Sequence, residues 1–152
     1  MFSCKGVVNC KFSKNGVYGV LRFCKAEQLS YCIVSGVFCR ENHTGICISG
    51  GHHIIVANNL CHTNKKYGID ITGSSDKSVV NNQCVANGYT NIRITDSLNC
   101  SIKGNTCRAL ASSGFGVFWK NRQVRLFVMM IVLKWQVTWI TIYLLEKKDR
   151  HK

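Results

Sequence analysis

The sequence predicts an all-β solenoid of about four coils of 23 residues, followed by an atypical C-terminal tail. Three observations lead there. Short motifs return every 23 residues, the motifs alternate apolar and variable positions, and turns are supplied by 13 glycines and many asparagines with no proline at all. The 152 residues suffice for one ordinary domain. A composition 46% hydrophobic and 18% charged excludes a disordered tail or a low-complexity linker.

The first coil is the weakest. Gly16-Val17-Tyr18 resembles a repeat start offset by 29 rather than 23, which gives this coil a longer loop. Ile33, Gly36 and Phe38 continue the later columns faintly. From Gly45 the register is clear: Gly45-Ile46-Cys47-Ile48 is followed at steps of 23 by Gly68-Ile69-Asp70-Ile71, Asn91-Ile92-Arg93-Ile94 and Gly114-Phe115-Gly116-Val117. The same step relates Val56, Val79 and Ile102, then Asn59, Asn82 and Asn105, then Cys61, Cys84 and Cys107.

Each Gly-Ile-x-Ile unit has the period of a strand with one buried face. A second apolar stretch, Ile54 to Ala57 and then Val79-Val80, is bounded by paired Asn or Gly. Asparagine tolerates left-handed backbone and closes its own turn through its side chain, so stacked Asn takes the place of proline. Such a unit cannot bury its apolar face alone, whereas stacked units can.

These columns resemble the right-handed parallel β-helix of the pectate-lyase-like superfamily, over roughly Gly16 to Trp119. The resemblance implies buried aliphatic ladders and an Asn ladder at one turn. It leaves function open among polysaccharide lyases, glycoside hydrolases, sugar epimerases, phage tailspikes and binding modules.

Cysteine usage bears on compartment. Cys61, Cys84 and Cys107 share a column, so their side chains should stand one strand spacing apart, ~4.8 Å. A disulfide needs Cβ atoms ~3.8 Å apart, so these read as a buried thiol ladder. No Cys-x2-Cys occurs, which argues against zinc. Free thiols suggest folding in a reducing cytosol, and Met1 to Cys10 has no apolar run of the secretory kind. The expected destination is a virion or cell surface.

With Ile46 and Ile48 inward, Cys47, Asp70 and Arg93 form an outward column. The next turn adds His52 and His53, with Asp76 one coil beyond, and Asp96 lies nearby. The candidate catalytic residues are Asp70, Arg93, His53 and Asp96, and the candidate ligand-binding residues His52 and Asp76. Glycoside hydrolysis would pair Asp70 with Asp96 as two carboxylates roughly 5 to 9.5 Å apart. Lyase or epimerase chemistry would use His53 as base and Arg93 to stabilise the anion, with Ca2+ held by Asp70 and Asp76, and otherwise no cofactor. Tyr67-Gly68-Ile69-Asp70 resembles the opening of the tyrosine-glycine-apolar-aspartate motif of alginate epimerases, with Ile71 and Thr72 where proline and histidine would follow. The competing structural readings are a surface ladder ion pair for Asp70 and Arg93, and turn roles for His52-His53, Asp76 and Asp96.

Composition breaks near Trp119, dividing coils at 1–119 from a basic apolar tail at 120–152. All cysteines and glycines precede the break, and all three tryptophans lie at or after Trp119. Leu126 to Leu145 could just span a bilayer, but Lys134 near its middle would cost ~3 kcal/mol. Two strands, 124–133 and 135–145, fit the propensities equally, and a reading-frame slip after about Trp119 would also explain the coincident loss of signals.

The net charge of +13 splits into +7 over residues 1–119 and +6 over residues 120–152. Aromatic and basic residues are not interleaved along the repeats, so nucleic acid is the least expected partner. A polysaccharide is the expected one, with a homotrimer as an open assembly. The leading expectation is a carbohydrate-associated β-helix segment, tailspike-like or polysaccharide-processing, that binds glycan. An active lyase, hydrolase or C5-epimerase is the alternative, and a structural or interaction solenoid without glycan activity the second.

Overall fold

The computed structural model describes residues 6–23, 30–109, 115–120 and 126–129. Every regular element among them is a strand. The first coil contributes β1 (Val7–Val8), β2 (Lys11–Ser13) and β3 (Tyr18–Phe23), and the second β4 (Ser30–Ser35), β5 (Phe38–Arg40) and β6 (Thr44–Ser49). Then come β7 (His52–Ala57), β8 (Leu60–His62) and β9 (Tyr67–Thr72), followed by β10 (Ser75–Val80), β11 (Gln83–Val85) and β12 (Thr90–Thr95). The last set is β13 (Leu98–Lys103), β14 (Thr106–Arg108) and β15 (Phe115–Lys120), with β16 (Leu126–Met129) beyond it.

Each strand pairs in parallel with its counterpart one coil away, giving a solenoid of about four turns. Sheet A runs β1-β4-β7-β10-β13-β16, sheet B β2-β5-β8-β11-β14 and sheet C β3-β6-β9-β12-β15. Between Gly45 and Arg108 the step is the expected 23, as in Val56↔Val79↔Ile102.

Outside that span the register corrects the sequence reading. The turn at residues 41–43 is one residue shorter than those at 63–66 and 86–89, so β4 meets β7 at a step of 22. Val34, Val37 and Cys39, rather than Ile33, Gly36 and Phe38, therefore occupy the buried columns, and Ile33 is exposed. In the first coil Gly19-Val20, not Gly16-Val17, is the counterpart of Gly45-Ile46. Two extra residues before β15 shift its partner strand, so Val117 and Trp119 stand over Ile92 and Ile94. A shift of two preserves which face is inward.

The core is built from ladders. Val20, Ile46, Ile69 and Ile92 stack from sheet C, and Val34, Val56, Val79 and Ile102 from sheet A. Sheet B supplies Phe12, Cys39, Cys61, Cys84 and Cys107, so the thiol ladder has four members rather than the three expected. These thiols are free, and burial pushes Cys84 well above the usual thiol range.

Corners turn on left-handed residues, which Asn and Gly adopt at least cost. Asn9, Gly36, Asn58, Asn81 and Gly104 follow the strands of sheet A with φ between 52 and 64°. Immediately after them Asn59 donates from its backbone and side-chain nitrogens to Asn82 Oδ1 (both 3.0 Å), and Asn82 does the same to Asn105 (both 2.9 Å). A second ladder, at the corner between sheets B and C, joins Asn42 to Asn64 and Asn64 to Asn87 in the same way. Gly45 is required beneath it: a Cβ there would lie 2.6 Å from the Gly68 carbonyl oxygen and 2.9 Å from Asn64 Nδ2.

The strand β16 pairs with β13, extending sheet A into the compositionally distinct segment. The remaining tail, 130–152, including the expected strand 135–145 and most of the bilayer-length stretch, lies outside the described residues. Among those described, no helix is long and apolar enough to cross a membrane.

Candidate functional site

Alternation in sheet C sends Ile69 and Ile71 inward and Asp70 outward, and likewise Arg93 between Ile92 and Ile94. The outward column reads Leu21, Cys47, Asp70, Arg93, Phe118. Adjacent strands place Arg93 Nη1 3.2 and 3.1 Å from the two carboxylate oxygens of Asp70. The guanidinium also sits 5.0 Å from the centre of the Tyr67 ring, with the Lys66 ammonium at 5.0 Å from the same ring. Tyr89 meets Tyr67 edge-on at 6.0 Å and is itself 54% exposed.

This surroundings half-buries the pair, leaving side-chain exposures of 13% for Asp70 and 31% for Arg93. Burial raises the Asp70 carboxyl above its usual range, with Arg93 and then Lys66 opposing the rise. Cys47 lies against it: burial, and next the Asp70 charge, push its thiol up to about 11. It is therefore a thiol at neutral pH and a poor nucleophile.

His52, His53 and Asp76 lie past the Gly50-Gly51 corner, at the start of sheet A. His53 (φ 50°), Asp76 (φ 50°) and Asn99 (φ 48°) are all left-handed at the second position of their strands. His53 stacks on Tyr31 with ring centres 5.0 Å apart, His52 Nδ1 hydrogen-bonds Ser75 Oγ, and Asn99 Nδ2 donates to Asp76 Oδ1 at 2.9 Å. That last bond is the main reason the Asp76 carboxyl is held below its usual range. Asp96 (φ 50°) occupies the corner position of Gly50 and Gly73 and is exposed.

The structure thus joins Asp70 to Arg93 on sheet C and sets His52, His53 and Asp76 on sheet A, with Asp96 at the corner between the sheets. Calcium does not fit this donor set. Asp70 is committed to Arg93, Asp76 belongs to a different sheet, and no group of three or more His, Cys, Asp or Glu is placed to hold a metal among the described residues. Sequence reasoning missed Lys66 and Tyr89, whose places at a turn become meaningful only once Tyr67 is seen between them. It also missed the second Asn ladder, although Asn64 and Asn87 stand 23 apart.

The right-handed β-helix region family matches residues 3–126, and the chain belongs to that family. No curated protein and no solved structure matches it. The fold is therefore a right-handed parallel β-helix, with function to be argued from its surface.

Proposed function

We propose that the protein binds a polysaccharide along the outward face of sheet C, without turning it over. The observation carrying this reading is the half-buried Asp70–Arg93 pair ringed by Tyr67, Tyr89 and Lys66. Sugars are recognised by an apolar ring to lie on and fixed polar groups to hydrogen-bond. Tyr89 offers the ring, and the exposed part of Arg93 offers donors whose direction Asp70 fixes. The face continues along the axis with strands ~4.8 Å apart, which suits an extended chain better than a single sugar. The described part of the face carries one carboxylate, Asp70, and its partner ties it up, which favours binding over two-carboxylate hydrolysis.

A glycan array probed with the full chain tests this reading. At least one polysaccharide should bind, with affinity falling tenfold or more in Arg93→Ala and Tyr89→Ala, and neither reducing ends nor unsaturated uronate should accumulate. Binding indifferent to both substitutions would overturn the site, and product formation abolished by Asp70→Asn would establish an enzyme. A second reading, an interaction solenoid without glycan, draws on Tyr31, Ile33 and Ile55 exposed together on sheet A.

A further inference from the structure

One inward column of sheet A breaks the aliphatic rule. It reads Cys32, Ile54, Lys77, Cys100, so a lysine points into the core between an isoleucine and a cysteine. Lys77 is 3% exposed and Cys100 5%. The lysine Nζ donates to the Ser74 carbonyl oxygen and lies 3.7 Å from Cys100 Sγ. The pairing of β10 with β13 fixes these two residues opposite one another.

From this juxtaposition we propose that Lys77 and Cys100 are a peroxide-responsive modification site, at which a nitrogen–sulfur bond joins neighbouring coils. The amine and the sulfur share a buried compartment, where burial raises the Cys100 thiol above its usual range and the Lys77 charge opposes the rise. The thiol ladder of Cys39, Cys61, Cys84 and Cys107 lines a different sheet.

Two steps make the bond. Cys100 sulfur attacks a hydrogen peroxide oxygen: S–O forms, O–O breaks, and water leaves, so sulfur is oxidised and peroxide reduced. Neutral Lys77 then attacks the sulfenic sulfur: N–S forms, the S–O bond breaks, and the hydroxyl departs as water with an amine proton. Sulfenic acids condense with nitrogen in this manner, and the net change is loss of two hydrogens, about 2 Da. Burial makes the amine available by holding the Lys77 ammonium down at about 8. A solvated lysine, in contrast, is almost wholly protonated at neutral pH.

The test treats the full chain with hydrogen peroxide and maps peptides by mass spectrometry before and after a thiol reductant. A peptide pair linking Lys77 to Cys100, about 2 Da lighter than its parts and released by the reductant, is the expected result. The link should drop to background in Lys77→Met and Cys100→Ser, each checked for native circular dichroism. The wild-type map alone decides the matter if either variant fails to fold. Cys100 oxidised to sulfinic acid without a link, a link carrying an added oxygen, a disulfide from Cys100, or an unmodified Cys100 beside oxidised Cys10 and Cys47 would each overturn the proposal.

Discussion

Asn87 Nδ2 donates to Asn91 Oδ1 at 2.8 Å, four residues along the same coil. In the coils before it the same amide reaches a residue about one turn further on, from Asn42 to Asn64 and from Asn64 to Asn87. Asn91 stands in the column of Gly45 and Gly68, and its side chain fills the place the next ladder amide would take. A step of 23 from Asn87 falls on Leu110, which has no amide to offer. Among the described residues Asn91 Nδ2 has no hydrogen-bond partner, as befits a terminator rather than a rung.

Removing a rung should therefore hurt more than removing the terminator. Asn82→Ala strips acceptors and donors from Asn59, Asn105 and the Val56 carbonyl, and should cost about 3 kcal/mol or more. Asn91→Gly leaves the side-chain donor of Asn87 and its longer backbone N–H bond unmatched, worth about 1–2 kcal/mol. Urea unfolding of both variants checks the order, and equal losses would show that Asn91 is a full ladder member.

Gly45→Ala should destabilise by about 2 kcal/mol, because the added methyl meets backbone that cannot move without opening the coil. Gly16→Ala, with nothing near the added carbon, serves as the control and should change the urea midpoint little.

Lys77 makes stability depend on pH. Its folded pKa of about 8 lies below the ordinary 10.5, so between these values the unfolded chain binds more protons and stability rises with pH. Lys77→Met should be more stable at pH 7 by about 1–2 kcal/mol and should lack the rise between pH 8 and 10.5. Denaturation at pH 7, 8.5 and 10 measures both, and parallel curves for the two proteins would contradict the assignment.

Thiol labelling should follow burial. In the native protein exposed Cys10 should react with an alkylating reagent first, Cys47 much more slowly because its thiol is pushed up to about 11, and Cys39, Cys61 and Cys84 only after unfolding. Peptide mapping after timed quenching distinguishes them.

Arg93→Ala should cost about 1–3 kcal/mol, since it leaves the largely buried Asp70 carboxylate without its partner. Thermal melts would confirm that any loss of glycan binding in that variant comes from the face itself rather than from unfolding.

The coil length, the inward Ile46, Ile69 and Ile92, the thiol column and the Asp70–Arg93 pairing were all legible in the sequence, because a period of 23 forces like residues together. What escaped were features that depend on a change of period. The one-residue deletion at residues 41–43 hid Cys39 and Val34, since an odd shift exchanges the faces read from the pattern. Lys77 was hidden for another reason: lysine in an apolar column looks like an exposed position until the register places it inside. His53, Asp76 and Asp96 were legible as a cluster by proximity in sequence, but the corner after Thr72 and Thr95 sends the chain onto a new sheet.

Between His52 and Lys103 successive coils keep the same 23-residue step in each of the three sheets. The natural unit of variation is then a whole coil. An in-frame duplication of 23 residues in this span would lengthen the molecule by one coil while keeping the register of its three sheets.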